Sequence, residues 1–206
     1  MRLPVFSTLA ATLTAALTAS SLAAELLPDE PGLHRRTVKT EGLELRYAVD
    51  VPEVEGEGPR PLVLALHYGF DRGRPFPPFY GGAFLERVVA PGLRELDAYV
   101  VAPDSHGKGW GDPEIAGPVL ELLDRLAADP RIDGGQVIVT GYSMGGAGAW
   151  FFAAEHTERF AAAVPMAGRL RPEWIEGVGD LPVHVLHSRN DELIAHDAAR
   201  GVVDAA

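Results

Sequence analysis

The spacing of hydrophobic positions changes character along this chain. Between Thr37 and Val51 apolar and polar residues partly alternate, at Leu43, Leu45, Tyr47 and Val49. That period of two predicts a pair of short strands, 37–40 and 43–51, turning at Glu41-Gly42 and forming a hairpin at a sheet edge. From Leu62 onward the alternation gives way to short, nearly continuous apolar runs at 62–66, 99–102, 137–140, 161–165 and 183–186. Runs of this kind suit central parallel strands covered on both faces. The gaps carry helical periods. Ile115, Val119, Leu122, Leu123 and Leu126 share one helix face, and Phe84, Leu85, Val88 and Val89 begin another that Pro91 interrupts. A third helix is expected over 147–155. Alternation of strand and helix predicts an α/β fold with a doubly wound, mostly parallel sheet, whose ligands gather at the carboxyl ends of the strands.

The first residues follow a different rule. Arg2 precedes an apolar run from Val5 to Leu22 that ends in the small-x-small sequence Ser21-Leu22-Ala23. This reads as a signal peptide over residues 1–23, and predicts a secreted or periplasmic protein; an uncleaved membrane anchor is the alternative. Residues 24–36 form a lead-in. The stretch Glu25–Leu33 is acidic and proline-containing, so it is expected to be solvated. The domain itself is assigned to 37–206, without repeats and without a later segment able to span a bilayer. Glu53–Pro61 reads as a surface loop, with Glu55 and Glu57 as solvated charge.

Composition narrows the chemistry. The 206 residues carry 18 Lys and Arg against 29 Asp and Glu, a formal charge of −11, which repels a phosphate backbone or an anionic bilayer. Nucleic acid is therefore not an expected partner. Cysteine is absent, which rules out disulfides, thiolate metal sites and a cysteine nucleophile. No metal or cofactor is expected. His184 and His187, three apart on a strand, point to opposite faces and do not share a metal easily.

The strongest local signal is Gly141-Tyr142-Ser143-Met144-Gly145, placed between the apolar run 136–140 and a helix. A strand-to-helix turn this tight holds a serine in strained backbone angles, with glycines two residues to either side leaving room for the chain. Ser143 is the candidate nucleophile. The Met144 N–H, at the start of the following helix, faces the place where negative charge develops in acyl transfer. Upstream, the run 62–66 leads into His67-Tyr68-Gly69, where the Tyr68 amide is the candidate second donor of an oxyanion hole; His67 is expected to shape the turn.

On these residues, together with Ala102-Pro103-Asp104, Gly146 and His187-Ser188-Arg189-Asn190-Asp191, the chain resembles the α/β-hydrolase superfamily. It is most similar to bacterial esterases and carboxylesterases related to dienelactone hydrolases and polyhydroxybutyrate depolymerase-like esterases. The resemblance runs from about Thr37 to the end. It implies hydrolysis of a small-molecule or polymeric ester through an acyl-enzyme, with Asp191 as the acid that orients a histidine. Asp191 also reads as a helix N-cap.

In that family a further strand and a histidine loop follow the acid. Here His196 is the only later histidine, too near Asp191 to reach Ser143 comfortably, so the base is expected to be missing and the chain to be nearly inert. An incomplete reading frame and a non-catalytic secreted binding protein both remain open, as does a peptidase of the prolyl-oligopeptidase type. A pairing strand beyond 183–186 is likewise expected to be absent, leaving an open edge through which the chain self-associates. Phe76, Phe79, Tyr80 and Trp110 either line an acyl pocket or cover the core.

Overall fold

The computed structural model describes residues 26–53, 58–71, 73–93, 95–197 and 200. The signal peptide expected over residues 1–23, and Glu55 and Glu57, lie outside the described residues. Six strands form one sheet: β1 (Gly32–Thr40), β2 (Leu43–Val51), β3 (Arg60–Leu66), β4 (Tyr99–Pro103), β5 (Ile132–Tyr142) and β6 (Ala162–Met166). Their spatial order is β1-β2-β4-β3-β5-β6. β1, β2 and β4 pair antiparallel, and β4, β3, β5 and β6 pair parallel. The helices are α1 (Tyr80–Phe84), α2 (Ala90–Leu93), α3 (Pro113–Ala127), α4 (Met144–Glu155) and α5 (Glu173–Val178), with a π turn at Leu85–Val89 between the first two.

The continuous apolar run of β3 has the expected cause. Leu62, Leu64 and Leu66 pack with the residues of α3 and α4, while Val63 and Ala65 pack against Phe84, Leu85 and Val89 on the opposite face. Period-two geometry sends alternate side chains to opposite layers, so a strand sandwiched between helices must be apolar throughout. α3 is capped by Asp112, whose side chain accepts the Glu114 N–H at 3.0 Å, and its predicted face of Ile115, Val119, Leu122, Leu123 and Leu126 is buried.

Three expectations need correction. The lead-in is not a solvated tail: Leu26 and Leu27 are buried in the main core, and β1 already begins at Gly32. The Tyr47 hydroxyl donates to the Leu26 carbonyl at 2.7 Å, and Arg131 donates to the Leu27 and Pro28 carbonyls. Two leucines in an acidic stretch outweigh its polarity once a core is available to bury them. Val88 does not share the apolar face of Leu85 and Val89 but is 44% exposed, because the π turn winds the chain differently there. Finally, 183–186 is not a regular strand. It meets β6 through isolated parallel bridges, Ala163 with Val183 and Met166 with Leu186. Its amides His184 N–H and Leu186 N–H donate to Ala163 and Pro165, leaving Val185 and Leu186 partly exposed at the sheet edge.

The topology decides where a site can lie. The chain runs from β3 outward to β4, then returns to place β5 on the other side of β3, so the direction of winding reverses between β3 and β5. A crevice opens at the carboxyl ends of two such strands. The register aligns these ends: Leu66 lies opposite Gly141, and Tyr142 opposite Met166. No helix among the described residues is long and apolar enough to cross a membrane.

Candidate active site

Ser143 sits between the last residue of β5 and the first of α4, with φ 56° and ψ −112°. Such angles are strained for any residue bearing a Cβ and persist only where the surroundings enforce them. Here the enforcement is backbone packing. A Cβ on Gly145 would lie 1.9 Å from the Leu66 carbonyl oxygen, one on Gly141 2.3 Å from the Gly145 oxygen, and one on Gly146 2.4 Å from the Met166 oxygen. The Ser143 N–H donates to the Met166 carbonyl at 2.9 Å and its carbonyl accepts from Ala147 N–H at 3.0 Å, tying the turn to β6 and α4. Among the described residues the Ser143 hydroxyl has no hydrogen-bond partner, and none of the seven histidines hydrogen-bonds to it.

Facing this turn is 67–69. A Cβ on Gly69 would lie 3.8 Å from Met144 Cβ, so the two turns are in contact. Met144, the first residue of α4, has no intrahelical acceptor for its N–H. The Tyr68 N–H also lacks an acceptor among the described residues. Two free backbone donors thus flank the serine from adjoining turns, an arrangement able to bind an oxyanion.

His67 is wholly buried behind them. Its Nδ1–H donates to the Tyr68 carbonyl at 2.7 Å, which leaves Nε2 to accept the Ser105 N–H at 3.1 Å. With both nitrogens engaged as a neutral ring, it serves as a structural brace. Burial pushes its pKa down to about 4, partly opposed by the Tyr68 carbonyl and by Asp104. The sign of the resulting pH dependence follows. The unfolded chain takes up a proton near pH 6.5 while the folded one resists until about 4, so stability present above 6.5 is lost as pH falls across that window. The loss amounts to about 3 kcal/mol. Urea titrations of parent and His67→Gln at pH 7 and pH 4 should show the parent losing that much more than the variant; parallel losses would refute the buried neutral imidazole.

Asp191 follows the bridge segment 183–186 and lies on the same strand-end side as Ser143. Its Oδ1 accepts the Leu193 and Ile194 N–H groups at 2.9 Å each, and Oδ2 lies 3.3 Å from His187 Nε2. Those backbone donors, Ile194 first and then Leu193, hold its carboxyl below the usual range, with a smaller contribution from His187. The turn-capping role is therefore present, with Oδ1 taken by the two amides and Oδ2 beside His187 Nε2. His187 Nε2 also donates to the Ile194 carbonyl at 2.7 Å. His196 hydrogen-bonds neither Ser143 nor Asp191; its Nδ1 lies 3.2 Å from Asp197, and its ring stands 6.0 Å from that of His187. His184 is exposed, whereas the His187 side chain is only 5% exposed.

Trp110 both lines a groove and belongs to the core. It is only 2% exposed, its indole N–H donates to the His67 carbonyl at 3.0 Å, and a Cβ on Gly148 would lie 2.7 Å from it. It forms the floor of a groove of about 630 Å³ that starts at Met144 and runs along α4 past Phe151 to Arg171 and Trp174. Phe76 and Tyr80 pack their rings on His67, at 5.7 and 4.9 Å between centroids, so they too belong to the brace. Phe79 holds a left-handed backbone at φ 56°. Another cavity, of about 600 Å³ between 50–53 and 93–100, lies at the opposite end of β4.

Sequence reasoning assigned no role to Asp104, which is completely buried. Its Oδ2 accepts from Arg46 Nε at 3.0 Å and Phe79 N–H at 2.7 Å, and its Oδ1 from Gly81 N–H at 2.9 Å. An acidic residue directly after an apolar strand was the available signal, but its partners come from segments remote in sequence.

This geometry can be set beside known proteins. The family model for the alpha/beta hydrolase fold matches residues 76–200. A thermostable esterase is similar at 24% identity and TM-score 0.65, over 84% of this chain and 50% of its own length, so the chain spans half of that protein. FphF, a fluorophosphonate-binding serine hydrolase of Staphylococcus aureus, is similar at 14% identity and TM-score 0.68, over 85% of this chain and 86% of its own. Est1E from Butyrivibrio proteoclasticus is similar at 16% identity and TM-score 0.63, over 82% and 84%. Nothing in these likenesses singles out dienelactone hydrolases or polyhydroxybutyrate depolymerases. No curated protein matches. With its mostly parallel sheet, its strained serine at the β5–α4 turn and a family match over most of its described length, the chain belongs to the alpha/beta hydrolase fold family.

Proposed function

We propose that this protein is a serine hydrolase of carboxylic esters working through an acyl-enzyme. The observation that carries the proposal is the strained Ser143 at the topological switch point, with the unpaired N–H groups of Met144 and Tyr68 beside it. Ser143 Oγ attacks the ester carbonyl carbon and its proton passes to an imidazole base, a place that none of the described histidines occupies, since none hydrogen-bonds Ser143; without that base the serine is a weak nucleophile. The carbonyl oxygen, now anionic, is held by the two amides. Collapse of that intermediate expels the alcohol, which takes the proton, and water then releases the acid by the same route in reverse. Asp191 is the acid that orients the imidazole, through Oδ2, which its turn contacts do not use and which lies 3.3 Å from His187 Nε2 in the structure. The groove along α4, floored by Trp110 and walled by Phe151, receives an apolar portion of the substrate. The esterases and serine hydrolases similar to this chain support the class, and the likeness to a putative dipeptidyl aminopeptidase IV from Bacteroides ovatus, over 30% of that chain, keeps peptides among substrates to be assayed.

The absence of any histidine hydrogen bond to Ser143 among the described residues favours one second reading, a non-catalytic binding protein that retains the pocket. A fluorophosphonate probe separates the two. Mass spectrometry should find the label on the peptide containing Ser143 and no label in Ser143→Ala. A parent protein that stays unlabelled yet binds ester ligands would replace the hydrolase with the binding protein.

A further inference from the structure

Ser143 is held by glycines, but the opposite wall of the site is a peptide group held by side chains. The 67–68 peptide carries the His67 carbonyl on one side and the Tyr68 N–H on the other, because a trans peptide plane points the two in opposite directions. Residues 67–70 have no regular secondary structure, so no ladder of bonds fixes this plane. One side chain does so directly: Trp110 Nε1–H donates to the His67 carbonyl at 3.0 Å. A second contact holds the next peptide, where His67 Nδ1–H donates to the Tyr68 carbonyl at 2.7 Å. The indole is itself locked, since a Cβ on Gly148 would lie 2.7 Å from Trp110 Cβ and Cγ. Gly148 belongs to α4, the helix whose first amide is Met144.

We infer that Trp110 is a positioning residue for oxyanion binding: by holding the carbonyl of the shared peptide, it aims the Tyr68 N–H toward the space over Ser143. Because the same ring abuts α4, it also sets the spacing between the Tyr68 and Met144 donors. The inference rests on the reading of Ser143 and these amides given above. It explains why a tryptophan N–H is buried here against a carbonyl instead of facing the groove that the ring floors. A donor bond to a carbonyl costs nothing to reorganise when negative charge forms, so its effect falls on the charged intermediate and not on ground-state binding.

The test removes the N–H and keeps a ring. In Trp110→Phe the ¹⁵N order parameter of the Tyr68 amide should fall from the rigid range, about 0.85, to below about 0.6. The rate of phosphonylation at Ser143 should fall about ten- to a hundredfold, with reversible binding of the phosphonate within about twofold of the parent. If Trp110→Phe does not fold, benzothienylalanine at position 110, which keeps the fused ring and replaces N–H with sulfur, takes its place. A Tyr68 amide as rigid as the parent's overturns the inference. So does a loosened amide with an unchanged phosphonylation rate. A parent that never reacts at Ser143 defeats the hydrolase reading instead, and the order parameter still decides whether Trp110 holds the peptide.

Discussion

Gly145→Val should abolish the native fold, not merely the activity. A Cβ at this position would lie 1.9 Å from the Leu66 carbonyl oxygen, 2.6 Å from its carbon and 2.8 Å from the His67 oxygen, all of them backbone atoms of β3 and the turn after it. No rotamer relieves the contact, because it is made by the Cβ and not by the methyls beyond. β3 and α4 would have to separate, which opens the main core between Leu64, Leu66 and the α4 residues. We expect a cost above about 5 kcal/mol, comparable with the whole stability of a domain. Circular dichroism melts would show a lost or non-cooperative transition, whereas Glu44→Ala on the exposed side of β2 should stay within about 0.5 kcal/mol of the parent. A soluble Gly145→Val protein with an unchanged melting temperature would mean that the turn is not the close contact described.

Asp104→Ala is expected to be the next most damaging change. It would strand the Arg46 guanidinium and leave the Phe79 and Gly81 N–H groups without their acceptor in a buried place. The cost is expected to be about 2–4 kcal/mol, because the Phe79 and Gly81 donors lose their acceptor away from water while the Arg46 guanidinium, 30% exposed, is in part rehydrated. The consequence reaches the site. Gly81 is pressed against β4, where a Cβ would meet the Ala102 and Pro103 oxygens at 2.5 Å, and this contact seats the segment carrying Tyr80 on His67. Urea unfolding should show a lower midpoint for Asp104→Ala with an unchanged slope, and Asp104→Asn should fall between variant and parent, since one acceptor oxygen survives. An unaltered midpoint in Asp104→Ala would show that the three bonds contribute nothing net.

The sequence by itself determined those features that depend on neighbouring residues. Apolar runs at 62–66, 99–102 and 137–140 mark buried strands because a doubly covered strand has no polar face to offer. Ile115 through Leu126 mark α3 by spacing alone, and the glycines around Ser143 mark a turn that only glycines can make so tight. The tertiary structure decided what long-range contacts decide. Leu26 and Leu27 sit in an acidic, proline-bearing stretch whose local polarity argues for solvent; the core built by remote elements buries them, and Tyr47 and Arg131, far along the chain, satisfy their carbonyls. Trp110 was equally compatible with a pocket wall or a core, since an aromatic residue in a loop carries the same local signal in either place. It serves as both: the His67 carbonyl and Gly148, brought together only when β3, β4 and α4 meet, bury it while its ring lines the groove. Asp104 is the same case in polar form. A carboxylate after a strand says nothing about its partners until folding places Arg46, Phe79 and Gly81 around it, and burial then makes their hydrogen bonds obligatory.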